Sequence, residues 1–155
     1  MQIRQLDLAN HRDVRRWVRF PYEVYRNSAC WVPPLIADEM RLLDTQEHPY
    51  YQHSRAAFFL AEDGGRTVGR ICAMSNRNYN QHSAHKRAFF GYLEMVQEQR
   101  VCDGLFEAVT AWARAQGLVD LVGPRDLLGA SAAGVLVEGF DRLPAMGAPW
   151  NYPYY

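Results

Sequence analysis

Glu94 is the residue whose type and setting best suit acid–base chemistry. It closes an aromatic, strand-like segment, Phe89-Phe90-Gly91-Tyr92-Leu93-Glu94. A carboxylate among Tyr92, Leu93 and Met95 is partly withdrawn from water, which disfavours its charged form and suits a general base. Strand alternation puts Glu94 on the face of Tyr92 and Val96, opposite Leu93 and Met95. That leaves open the plainer reading of an outward carboxylate paired with an arginine. Cys102 lies at the start of a helical stretch; exposed, its thiol would ionise readily in the field of the helix terminus, and packed it would be inert. His82 and His85 are neighbours in a polar stretch, with His48 and His53 elsewhere, and no ligand spacing links them, so no metal is expected. Lys86 is the only lysine, so the positive groups are nearly all arginine forks, suited to carboxylate and phosphate oxygens. Arg12, Arg15, Arg16 and Arg19 surround one helix, as a solvated face or as an anion-binding one.

The elements that must position these groups are readable from periodicity. Ile3, Leu6 and Leu8 suggest a first strand, and Asn10 a helix N-cap. Val14, Trp17, Val18 and Tyr22 recur at helical spacing, with Pro21 expected to kink or restart that helix. Pro33 and Pro34 open a second helix through Leu43. Ala57–Ala61 and Val68–Met74 read as strands joined by the Asp63-Gly64-Gly65 turn. The polar stretch Asn76–His85 reads as a loop, and Ala88–Val96 as a third strand. Gln99–Gln116 is the clearest helix, with Val101, Leu105, Val109, Trp112 and Ala113 in one stripe and Gly117 as its cap. Leu118–Gly123 reads as a strand buried on both faces, and Ala130–Val137 as a short helix. The tail, Leu143–Tyr155, has three prolines, four aromatics and no periodicity.

The 155 residues suffice for one domain, 1–155, with 143–155 an extended aromatic tail. With 17 basic and 17 acidic residues the net charge is zero, which gives no general pull toward nucleic acid or anionic lipid. Three scattered cysteines point to a reducing compartment. No signal peptide or membrane-length apolar run is present, so a soluble, cytoplasmic protein is expected.

The order strand, two helices, three strands, helix, strand, helix resembles the acyl-CoA N-acyltransferase (GNAT) superfamily. Gly91–Gly117 looks like its cofactor-binding unit, with Leu105-Phe106 on the family's Leu-Leu pair and Ala113 and Gly117 on its A-x-x-x-G ending. Nearly the whole chain also resembles one bacterial branch of that superfamily. Trp31-Val32-Pro33-Pro34-Leu35, Val68-Gly69-Arg70-Ile71, Gly123-Pro124 and Glu138-Gly139-Phe140-Asp141 carry this, with Trp150-Asn151-Tyr152-Pro153-Tyr154-Tyr155 as a variant of a Y-N-P-x-Y-Y ending.

The resemblance implies an α/β (α+β) fold with a mixed sheet, and acyl transfer from acetyl-CoA or another acyl-CoA to a small-molecule amine. Glu94 would be the base acting through water. Met95 and Val96 would line the pantetheine arm, and Gln97, Arg100, Val101 and Cys102 the diphosphate. Two departures stand out. Arg100 and Cys102 replace the small residues of the phosphate motif Q/R-x-x-G-x-G/A, so Arg100 either obstructs the diphosphate or binds it from the side. The superfamily's last two strands are missing or supplied by a partner, which implies a homodimer exchanging its tail. Tyr152 is the candidate acid for the leaving thiolate, the alternative being that Tyr152, Tyr154 and Tyr155 staple the tail to the sheet. Against the enzyme stands a catalytically inactive module for ligand binding or dimerisation.

Overall fold

A computed structural model describes residues 1–129 and 133–155. Five strands, β1 (Gln2–Gln5), β2 (Ser54–Asp63), β3 (Arg66–Asn76), β4 (Arg87–Met95) and β5 (Asp120–Val122), lie side by side in chain order. β1 to β4 are antiparallel neighbours, and β5 runs parallel to β4. A parallel neighbour needs a crossover, which α4 (Gln99–Ala115) supplies.

Alternation along β2 and β3 sorts their apolar side chains onto two faces. Phe58, Leu60, Cys72 and Met74 meet Val14, Trp17 and Val18 of α1 (His11–Val24). Ala57, Phe59, Ile71 and Ala73 meet Val101, Leu105 and Val109 of α4. Trp17, Leu60, Ile71 and Leu105 are fully buried, each side chain contributing roughly 1.5–3 kcal/mol.

Helix starts follow their caps. The Asn10 side chain accepts from the Arg12 N–H at 3.1 Å and begins α1. α2 (Ile36–Leu42) begins after Leu35, later than the prolines suggested, and has no side-chain cap. The stretch expected as a loop contains α3 (Arg77–Ser83), because Asn76 caps the Tyr79 N–H at 2.9 Å and the Ser83 hydroxyl closes on the Tyr79 carbonyl at 2.6 Å. β5 is shorter and more open than a strand buried on both faces: it is the sheet edge, and only Leu121 packs toward α4. Of the expected helix Ala130–Val137, residues 130–132 lie outside the described residues and 133–137 are not helical.

Pro21 sits inside α1, which continues through it. Proline has no N–H, so the Trp17 carbonyl loses its helical donor four residues on. That carbonyl accepts instead from Arg70 Nη1 of β3 at 2.9 Å. The break in the helix ladder is thus the anchor for a buried cation beneath the site.

Candidate active site

β4 carries a bulge. Arg70 faces Glu94 and Cys72 faces Gly91, so β4 spends one more residue than β3 over this span. Tyr92 absorbs it with φ 51°, a left-handed conformation unusual for a bulky residue and common at functional sites. Parity changes there. Phe89, Tyr92 and the Arg70-bound Glu94 turn to the α1 side; Phe90, Leu93 and Met95 turn to the α4 side.

β5 pairs with β4 only from Arg87 to Phe89 and then departs. The last link is the Arg125 N–H donating to the Phe90 carbonyl at 3.0 Å. Gly91 permits this approach, since a Cβ there would lie 1.8 Å from the Arg125 carbonyl oxygen. Gly91→Ala therefore forces backbone apart and should lower the unfolding free energy by about 1–3 kcal/mol; urea denaturation checks it.

Beyond Gly91 the two segments enclose a cleft of about 490 Å3 on the α4 side. Phe90, Leu93, Phe106 and Val135 give it apolar walls, and Met95, Gln97 and Gln99 lie at the α4 end. A smaller cavity of about 110 Å3, reached from the α1 side, contains Glu94, Tyr92 and Tyr25. Leu93, Pro124, Val135 and Tyr155 line both. The two cavities meet across β4, with Tyr155 at the junction.

At this junction the Met95 backbone faces the cleft. Its N–H donates to the Tyr155 hydroxyl at 2.7 Å, and its carbonyl accepts from the Tyr154 hydroxyl at 2.7 Å. The tail, not a strand, covers this edge of β4. Burial pushes the Tyr155 phenol far above its usual range, with Tyr25 and Glu94 adding to the shift, so it stays protonated. The Tyr25 hydroxyl, raised by burial and then by Glu94, lies 3.4 Å from that of Tyr155. Tyr152 stands elsewhere: its ring packs on Tyr25 and Trp150, and its hydroxyl lies 3.4 Å from the Val24 carbonyl.

Glu94 Oε2 accepts from Arg70 Nε at 2.5 Å. Arg70 is 3% exposed and lies 4.0 Å over the Trp17 ring. The arginine pairing anticipated as the plainer reading is therefore present, while the side chain remains beside the α1-side cavity. Glu39 of α2 is a half-buried carboxylate within the influence of Arg70 and Glu94. Burial raises its pKa, the Arg70 charge opposes this, and the Glu94 charge adds to it.

Of the expected cofactor residues, Met95, Gln97 and Cys102 line the cleft. Val96 donates its N–H to the Val68 carbonyl, and Val101 is buried in the core. Arg100 points outward to Asp63 at 2.9 Å and Glu98 at 2.7 Å, so its bulk does not obstruct the helix terminus. Burial, and then Asp103, pushes the Cys102 thiol up, opposite to the ready ionisation expected of an exposed thiol at a helix terminus. The Gln99 and Arg100 N–H groups, in the first turn of α4, have no acceptor among the described residues. Such groups, with the helix dipole, attract phosphate. Among the described residues no set of three or more metal-ligating side chains converges, and no helix is long and apolar enough to cross a membrane.

Two solved structures share this architecture. One is a tandem GNAT protein from the clavulanic acid biosynthesis pathway, with TM-score 0.62 and 15% identity over 86% of this chain and 39% of that one. The other is an aminoglycoside acetyltransferase from an uncultured soil metagenomic sample, crystallised with sisomicin; its TM-score is 0.58, with 16% identity over 83% of this chain and 80% of that one. The chain has the GNAT fold. Two curated proteins align with most of this chain. Protein YghO of Escherichia coli K12 is 29% identical over 146 residues, 94% of the chain and 37% of that protein. The bacterial ceramide synthase of Caulobacter vibrioides is 31% identical over 133 residues, 85% of the chain and 35% of that protein. The chain thus spans about a third of the length of these relatives. No family model matches it.

Proposed function

We propose that the chain is an acyl-CoA-binding GNAT unit that transfers an acyl group to the primary amine of a long-chain amino alcohol. One observation carries this: the Met95 N–H is turned into an apolar cleft that ends at the uncapped first turn of α4. The α4 terminus would hold the CoA diphosphate, and Gln97 with the cleft walls the pantetheine arm. Placed where the Tyr155 hydroxyl now lies, a thioester oxygen would accept the Met95 N–H. A donor aimed there stabilises the tetrahedral intermediate more than the ground state.

The amine would arrive from the α1 side. Its nitrogen attacks the carbonyl carbon, the C–N bond forms and the C–S bond breaks. Glu94 takes the amine proton through water, and the Tyr155 hydroxyl, released from the Met95 N–H by the arriving thioester, gives the proton that the CoA thiolate requires. The acceptor class rests on the similarity to a ceramide synthase, since a ceramide is the fatty amide of a long-chain amino alcohol, and on the apolar walls Phe90, Leu93, Phe106 and Val135 of the larger cleft.

The inactive binding module remains a second reading because both polar groups of Met95 are already satisfied by tail hydroxyls. Thiol release from palmitoyl-CoA with sphinganine separates the two. Amine-dependent release supports transfer; saturable CoA binding with no release at any amine concentration supports the module.

Glu98 places a carboxylate at the rim, beside the phosphate position. Glu98→Gln should tighten CoA by about two- to fivefold, equivalent to about 0.5–1 kcal/mol at a helix N-terminus. Calorimetry showing unchanged or weaker binding would place the diphosphate elsewhere.

A further inference from the structure

We infer that the open cleft at the opposite end of the sheet is a second binding site, built for a phosphate-bearing ligand. It encloses about 580 Å3. Five parts of the chain meet there: the turn holding His53, Arg55 of β2, Arg77 and Asn80 of α3, His85 ahead of β4, and Gln116 after α4.

Charge singles it out. The whole chain balances 17 basic against 17 acidic residues, yet no Asp or Glu lines this cleft. Arg77 has no hydrogen bond or ion pair among the described residues. Arg55 donates only to the neutral Gln116 side chain, at 3.3 Å. Two exposed guanidinium forks therefore line one concavity with no carboxylate partner among the described residues. His53 uses Nδ1 on the Ser54 hydroxyl at 2.6 Å, which leaves Nε2 available. Asn80 is fixed on the backbone of Arg87 at 2.9 and 3.0 Å and forms a rigid wall. Planar forks that line one cleft from separate elements suit the oxygens of a phosphate group, which can take two parallel charge-assisted bonds from a fork.

The site is separate from the acyl-CoA cleft. α4 has 17 residues, a length of about 25 Å. Its first turn borders one cleft and Gln116, just past its end, borders the other. The CoA diphosphate cannot serve both. The ligand is a phosphate ester, either a free metabolite or the headgroup of an anionic lipid.

The test is independent of acyl transfer. Side-chain NMR of His53, His85 and Arg77 is followed while glycerol 3-phosphate is added, and co-sedimentation is measured with phosphatidylcholine vesicles with and without phosphatidic acid. Saturable shifts with the free ester identify a soluble ligand. Sedimentation only with phosphatidic acid identifies a headgroup. Arg77→Gln, which loses no intramolecular contact, and the double variant Arg55→Gln/Arg77→Gln should each weaken whichever binding is seen, the double at least tenfold, with CoA affinity unchanged. Absence of binding in both formats, or binding that the double variant leaves intact, overturns the inference.

Discussion

Replacing Glu94 by glutamine should lower the free energy of unfolding by about 3–5 kcal/mol, because it leaves a buried guanidinium without its carboxylate. Arg70 is 3% exposed and cannot shed its proton. It would keep the Trp17 carbonyl and ring, which do not neutralise it, and only the more distant charge of Glu39, with which it makes no ion pair. A group serving only as a base would cost turnover and leave stability untouched, so denaturant unfolding separates the roles. The double variant Arg70→Met/Glu94→Leu should recover most of the lost stability, since an apolar pair removes both desolvated charges, and should stay inactive in the transfer assay. A loss below about 0.5 kcal/mol in Glu94→Gln would mean that the ion pair does not organise the site.

That ion pair shows where the sequence stops being informative. The α4 stripe, the Gly64-Gly65 hairpin and the Asn10 cap are local signals, and each appears where periodicity or turn chemistry puts it. Arg70 and Glu94 are 24 residues apart and meet only through the β3–β4 register. The bulge at Tyr92 adds a residue to that register; Gly91 beside it is the kind of strand glycine that accompanies a bulge, but it does not say which residue takes the positive φ. Pro21 read as a helix interruption; its consequence, a carbonyl freed for Arg70, needs the partner strand. Glu39 carries no signal of its own in the sequence, and only packing of α2 brings it under the influence of Glu94. In the tail, three tyrosines of similar spacing are indistinguishable without coordinates. Tyr155 reaches Met95, whereas Tyr152 packs on Tyr25 and Trp150. The proposal of acyl-CoA binding came from resemblance, and the cleft supplies a geometry against which to test it.

Tyr155→Phe should have opposite effects on the two steps of the proposed reaction. Without its hydroxyl the ring no longer competes for the Met95 N–H. One neutral hydrogen bond is worth about 1 kcal/mol net, so acyl-CoA affinity should rise about fivefold. Turnover should fall, because the variant lacks the hydroxyl proposed to protonate the leaving thiolate. A lower Kd with a lower kcat is therefore the expected signature, read by calorimetry and single-turnover kinetics. Equal affinity in the two proteins would show that the hydroxyl does not occupy the thioester position. Tyr152→Phe should change neither quantity appreciably, since its hydroxyl makes one long contact at 3.4 Å to Val24.

The amide resonance of Met95 reports most directly on whether this cleft receives a thioester. In an 15N-labelled sample titrated with a non-hydrolysable palmitoyl-CoA thioether ketone, the Met95 amide should move saturably, together with those of Gln99 and Arg100 at the start of α4. Binding that leaves these three amides in place, or no binding by folded protein, would contradict the account.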